Sequence, residues 1–295
     1  MNFEPKHEQP VENGDIRAAS GEKQRRIPHD IYEASVISQR GELVDITYLI
    51  PASEKSLFQK DVQQVFDWVA KTVNSSEYTQ FEIEIGNLLA EVKDQNFIFD
   101  IEGTVMNDVQ NSENISERVY HVVPWMRPFV VNLIKNGNHV GFWTSATREN
   151  LENMRKAMSP EMADLPAICR EDWEKVVVAY KARSLNQMTD EQVIEAMQSV
   201  YPTVNPETFQ TGLELFDKDL FESFNHDPTN FLRYNKYPQL FISPKNGFFI
   251  DDNNVYINSA TERGWPKNRA IKCDYFPQRE NVLEVAQAIK EGATK

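Results

Sequence analysis

Residues Asn96–Met106 read NFIFDIEGTVM, and this stretch decides the fold. Phe97, Ile98 and Phe99 form an apolar run too short for a helix and suited to a buried strand. Asp100 and Glu102 follow, separated by Ile101, with Gly103 and Thr104 directly after. The strand therefore delivers two carboxylates into a tight turn at its C-terminal end. In an open α/β sheet, that edge is where ligands bind.

Outward from this stretch the pattern repeats. WMRPFVVNLIKNG (Trp125–Gly137) is punctuated as a helix, with Pro128 in its first turn and Gly137 just past its end. HVGFW (His139–Trp143) is a second strand, running into Thr144 and Ser145. Leu151, Met154 and Met158 then place an apolar stripe on the following helix. GFFI (Gly247–Ile250) is another strand, ending in Asp251 and Asp252. Arg269–Cys273 is expected as the last strand and Glu280–Ile289 as a closing amphipathic helix. Strands alternating with helices over short connections predict an α/β fold with a doubly wound parallel sheet.

This core is expected over 94–158 and 213–295. Before it, 1–28 is polar and charged and reads as a disordered arm, its basic cluster Gly21–Arg26 a solvated charge run. Residues 29–93 read as an N-terminal α+β extension. It has an alternating strand over Glu42–Ile50 and helices over Phe58–Val73 and Phe81–Val92. Asn107–Glu117 is polar and reads as a loop, and Leu213–Phe216 as a short strand. Between the two halves of the core, 159–212 is expected as a cap-like, helical insertion near the site entrance. There Thr189 and Gln192 stand in capping-box register.

Composition narrows the function classes. Asp and Glu number 45 against 31 Lys and Arg, a formal net charge of −14. A sequence-blind nucleic-acid binder needs a basic footprint, so that class is set aside. No apolar run approaches the ~18 residues of a membrane span, and the N-terminus lacks the apolar core of a signal peptide. Cys169 and Cys273 are the only cysteines and lack metal-site spacing. A soluble, cytoplasmic protein in a reducing compartment is the expectation, with signal-independent export left open. His121, His139 and His226 also lack ligand spacing and read as ordinary histidines.

The three strand ends supply complementary chemistry. Hydrolysis of a phosphomonoester through a covalent intermediate needs a nucleophile, for which a carboxylate serves, and a second group to move protons. It also needs a cation held by oxygen ligands, and fixed donors for the phosphoryl oxygens. Asp100 with Glu102, Thr144 with Ser145, and Asp251 with Asp252 all fall at one edge of a parallel sheet.

This set resembles the haloacid-dehalogenase superfamily of phosphohydrolases. Its first motif is an apolar strand followed by Asp-x-Asp-x-Thr, here FDIEGT; its second is a strand ending in Thr or Ser, here GFWTS. A lone Lys and a strand ending in an acidic pair, here FFIDD, complete the pattern. More narrowly, the chain is similar to the branch of the RNA-polymerase C-terminal-domain phosphatases and the NLI-interacting-factor phosphatases. Met126-Arg127-Pro128, TSATREN (Thr144–Asn150) and FDKDLFES (Phe216–Ser223) carry that likeness, and Lys236 precedes Asp251 at close to that branch's separation.

The resemblance implies Asp100 as nucleophile and Mg²⁺ ligand. It implies Glu102 as general acid/base, with its backbone carbonyl a further metal ligand. Thr144 and Ser145 would hold phosphoryl oxygens, Lys236 would balance charge, and Asp251 and Asp252 would complete the metal site. Lys245 is the alternative to Lys236, which is favoured on spacing. Arg148 and Arg233 are candidates for reaching an anionic substrate. A phosphorylated protein or peptide is the favoured substrate. A small phosphomonoester and a catalytically silent binding role are the alternatives. Two features depart from the family: Glu102 stands where Asp is usual, and the stretch from Thr144 to Lys236 is longer than this branch shows.

Overall fold

The computed structural model describes residues 29–37, 43–51, 58–110, 118–216 and 218–294. The chain opens with a hairpin, β1 (His29–Ile37) and β2 (Leu43–Pro51), and two helices, α1 (Phe58–Val73) and α2 (Ser76–Leu89). Strand β3 (Asn96–Asp100) leads into a second hairpin, β4 (Met106–Gln110) and β5 (Arg118–Val122). Then come α3 (Met126–Lys135), β6 (His139–Trp143), α4 (Arg148–Lys156), α5 (Pro160–Ala163) and the short β7 (Ala167–Ile168). Helices α6 (Arg170–Ser184), α7 (Asp190–Gln198), α8 (Pro206–Leu215), α9 (Lys218–His226) and α10 (Pro228–Tyr234) follow. The chain closes with β8 (Gly247–Asp251), α11 (Asn254–Glu262), β9 (Ala270–Lys272) and α12 (Arg279–Ala293).

Five strands form one parallel sheet in the order β7-β6-β3-β8-β9. The chain starts at the centre with β3, winds outward through β6 and β7, then crosses back to lay β8 and β9 on the other side. The winding reverses between β3 and β8. In sheets of this Rossmann-like kind, the crevice at the carboxyl ends of those two strands is the binding position.

Helices cover both faces, which is why the central strands read as unbroken apolar runs instead of alternating ones. Phe97, Phe99, Phe248 and Ile250 face the layer built from α2, α3 and α12, with Phe97 stacked on Phe248 at 5.2 Å. Ile98, Trp143 and Phe249 face the other layer. There Trp143 meets Trp173 edge-on at 5.4 Å and Phe241 at 5.1 Å. Gly141 permits this packing, since a Cβ in its place would stand 2.2 Å from the Tyr201 hydroxyl. The segment 159–212 supplies β7 to the sheet and places Trp173, Val176, Tyr180, Val193, Met197 and Tyr201 in that second layer.

Two local expectations change. Leu213–Phe216 is not a strand: Leu213–Leu215 form the last turn of α8. Asn205 caps that helix by accepting from Glu207 and Thr208, Pro206 occupies its first turn, and Phe209, Gly212 and Leu215 are buried at helical spacing. Asn107–Gln110 belong to β4, paired antiparallel with β5 from Met106↔Val122 to Gln110↔Arg118. The pairing partner, which local polarity does not reveal, makes this a strand. Strand β1 pairs with β2 in the same antiparallel manner, from His29↔Pro51 to Ile37↔Leu43. The expected arm 1–28, with Gly21–Arg26, lies outside the described residues. Among those described, no helix is long and apolar enough to cross a membrane. Cys169 and Cys273 are buried free thiols, both pushed up to about 12 chiefly by burial.

His121 on β5 supplies a test of this packing. It is buried, edge-on to Trp68 at 5.9 Å, and burial pushes its imidazole down from 6.5 to about 4. The unfolded chain takes up this proton near pH 6.5, whereas the folded chain resists until about 4. Stability is therefore lost as pH falls through that window, by up to about 3 kcal/mol from this group. Urea unfolding from pH 7 to pH 4 is expected to show a flatter decline for His121→Asn than for wild type. Parallel declines contradict a histidine buried in its neutral form.

Candidate active site

The register of the sheet assembles the site. Phe99 pairs with Ile250, so the next residues, Asp100 and Asp251, emerge side by side from β3 and β8. On the other flank Asp100 pairs with Trp143, so Thr144 emerges next to Asp100 from β6. Thr144 is buried, and its hydroxyl accepts the Ala146 N–H at 3.0 Å, which holds the loop after β6 against the strand end.

Lys236 follows α10 and reaches the same point, only 1% exposed. Its ammonium donates to Asp100 Oδ1 at 2.5 Å, Asp251 Oδ2 at 2.8 Å and the Trp143 carbonyl at 3.3 Å. An ammonium has three protons, and all three are used. The Tyr256 ring lies against the same nitrogen, 4.2 Å from its centroid. Tyr256 is fixed in turn, its hydroxyl donating to the Arg233 carbonyl at 2.5 Å.

Carboxylates outnumber this one cation. Asp100, Asp251 and Asp252 each place a ligand oxygen within 4.8 Å of the others. Asp251 Oδ1 accepts the Asn253 N–H at 2.8 Å, and Asp252 Oδ1 accepts from Thr104 Oγ1 at 3.3 Å. Burial holds Asp100 well above the ordinary carboxylate range, and the charges of Asp251 and Asp252 push the same way against Lys236. Burial also raises Asp251 and Asp252. Three hard oxygen donors that resist being charged together want a compact divalent cation, which favours all three ionised forms at once. The donor set thus fits a hard divalent cation.

Glu102 sits in the turn that follows. Gly103 adopts φ +91, its N–H donates to the Met106 carbonyl at 2.8 Å, and its carbonyl accepts from Phe276 N at 2.7 Å. The Glu102 side chain extends to the hairpin, where Oε1 accepts from Arg118 Nη1 at 2.9 Å. Its other oxygen lies 3.5 Å from Thr144 Oγ1. Burial raises its carboxyl above the ordinary glutamate value, and the Arg118 guanidinium opposes that rise.

The remaining candidates lie as follows. Ser145 is half-buried beside Tyr256. Arg148 forms an ion pair with Asp172 at the start of α6. Arg233 places its guanidinium over the Tyr234 ring, 5.4 Å from the centroid. Lys245 precedes β8 and so lies at the opposite edge of the sheet, exposed and paired with Glu207 at 2.7 Å. Two contributing residues escaped the sequence reading. Arg118 had no motif around it to mark it. Tyr256 had a weak signal, as an aromatic one turn into the helix after the acidic pair. No family model, curated protein or solved structure matches the chain.

Proposed function

We propose that the chain is a Mg²⁺-dependent phosphomonoester hydrolase of the haloacid-dehalogenase type, acting through an aspartyl-phosphate on Asp100, with phosphorylated protein as its favoured substrate. The observation that carries this reading is the convergence of Asp100, Lys236, Asp251 and Asp252 at the winding reversal of the sheet.

In this reading an Asp100 carboxylate oxygen attacks phosphorus and the ester P–O bond breaks. Glu102 gives its proton to the departing oxygen, a role suited to a carboxyl that burial keeps protonated longer than usual. Glu102, now a carboxylate, takes a proton from water. That water attacks the aspartyl-phosphate, releasing phosphate and restoring both acids. Lys236 donates to Asp100 and aims it, its charge opposing the rise that burial imposes, and Thr144 donates to a phosphoryl oxygen. Asp100, Asp251 and Asp252 would hold the Mg²⁺, whose chemistry is to neutralise and orient the phosphate. The extra methylene of Glu102 is accommodated by Arg118, which donates to its Oε1 at 2.9 Å.

Hydrolysis of p-nitrophenyl phosphate by the full chain is expected with Mg²⁺, to vanish in chelator and to return when Mg²⁺ is restored. Under the same cycle the melting temperature should rise with the metal, because only the folded chain assembles the three carboxylates. No turnover on any phosphoester across several pH values contradicts the enzyme reading. An unchanged melting temperature contradicts the metal reading. Arg118→Gln should lower kcat roughly tenfold while leaving KM within about twofold, since it aims an acid that acts in the transition state. A rise in KM alone would assign Arg118 to substrate binding instead.

A further inference from the structure

Tyr275 is 62% exposed, more than any other large apolar side chain among the described residues. It also stands at the rim of the acidic site. A Cβ at Gly103 would lie 2.6 Å from the Tyr275 ring and 2.8 Å from Asp252 Oδ2, so ring and carboxylate flank the same narrow gap. The loop that carries this ring is fixed at both ends. Cys273 N donates to the Asp251 carbonyl at 3.0 Å, Asp274 N to Asn281 Oδ1 at 2.9 Å, and Phe276 N to the Gly103 carbonyl at 2.7 Å. Phe276 takes φ +56, a conformation that non-glycine residues rarely adopt, and its ring lies 3.8 Å from that of Tyr275.

A side chain serving only to cover the turn gains by burial, and this one leaves most of its surface to solvent. A ring held in place at the rim of the Asp100, Asp251 and Asp252 cluster is instead pre-organised to receive another flat group, at little further cost in entropy. We propose that Tyr275 is a specificity-determining residue which stacks on the leaving group, so that the substrate class is an aryl phosphomonoester, phosphotyrosyl peptides among them. This rests on the phosphohydrolase reading above and adds to it the chemistry of the group that departs.

The test compares one peptide carrying phosphotyrosine with the same peptide carrying phosphoserine, and the non-hydrolysable phosphonate analogue of each. Wild type, Tyr275→Phe and Tyr275→Leu are measured by steady-state kinetics on the phosphopeptides and by calorimetry on the phosphonates, all with Mg²⁺. Wild type is expected to favour the aryl member of each pair. Tyr275→Leu should reduce that preference roughly three- to tenfold in both kcat/KM and affinity, and Tyr275→Phe should retain it. A preference that is absent in wild type, or unchanged in Tyr275→Leu, overturns the proposal. So does an equal loss on both peptides, which marks a merely structural ring. Should wild type hydrolyse neither peptide, the phosphohydrolase reading fails while the two phosphonate affinities still decide whether the ring is recognised.

Discussion

Asp100→Asn is expected to lower phosphomonoester turnover on the order of 10⁴-fold while leaving the fold intact. The amide keeps the size of the carboxylate and an oxygen to accept from Lys236 Nζ, but it cannot form an acyl-phosphate. Its effect on stability should be small or favourable. Burial already holds the Asp100 carboxyl far above its ordinary range, and replacing it removes one of three crowded negative charges. Steady-state kinetics and thermal unfolding on the same preparation check both halves. Turnover within tenfold of wild type, with unfolding unchanged, removes Asp100 from the role of nucleophile.

Lys236→Met should harm both activity and stability. Asp100 and Asp251 each accept a hydrogen bond from this ammonium, and all three side chains are buried, so its loss leaves buried carboxylates without their counter-charge. Breaking a buried pair from one side costs about 3–5 kcal/mol. The pH dependence has a definite sign. Without Lys236 the folded-state pKa values of both aspartates rise further above their unfolded values. Stability tied to the protonated forms is then present in acid and lost as pH rises. The deficit relative to wild type, measured by urea unfolding in chelator, should be largest near neutrality and shrink toward pH 5. Asp100→Asn combined with Lys236→Met should recover part of the loss, because one of the stranded charges is gone. A deficit independent of pH, or no recovery in the double variant, contradicts the charge argument.

The opposed stability effects of these two variants follow from one count of charge, and that count was partly legible in the sequence. The runs NFIFD and GFFID announce buried strands because both of their faces are covered. Their terminal acids announce one sheet edge because the strands are parallel. What the sequence does not carry is lateral: which strand lies beside which, and which side chain arrives from elsewhere. Spacing and the family resemblance favoured Lys236 over Lys245. The structure separates them by the edge of the sheet each occupies, since Lys236 follows a helix that ends at the acidic edge and Lys245 precedes the start of β8. Arg118 reaches Glu102 only because β4 and β5 pair, and nothing in the polar run Asn107–Glu117 signals that pairing. Leu213–Leu215 looked extended because the run is short, whereas Asn205 and Pro206 several residues upstream had already started a helix there. Likewise Trp173 and Tyr201 belong to the layer over Trp143 and Gly141, a contact between segments that local periodicity does not encode.

The most direct test of the account is a crystal structure of the wild-type chain soaked with Mg²⁺ and fluoroberyllate, a mimic of a phosphoryl group bonded to a carboxylate. Fluoroberyllate is expected on an Asp100 carboxylate oxygen, with Lys236 and Thr144 against it and a cation held by Asp100 together with Asp251 and Asp252. Fluoroberyllate bound elsewhere, or an acidic cluster that takes up no cation under these conditions, contradicts it.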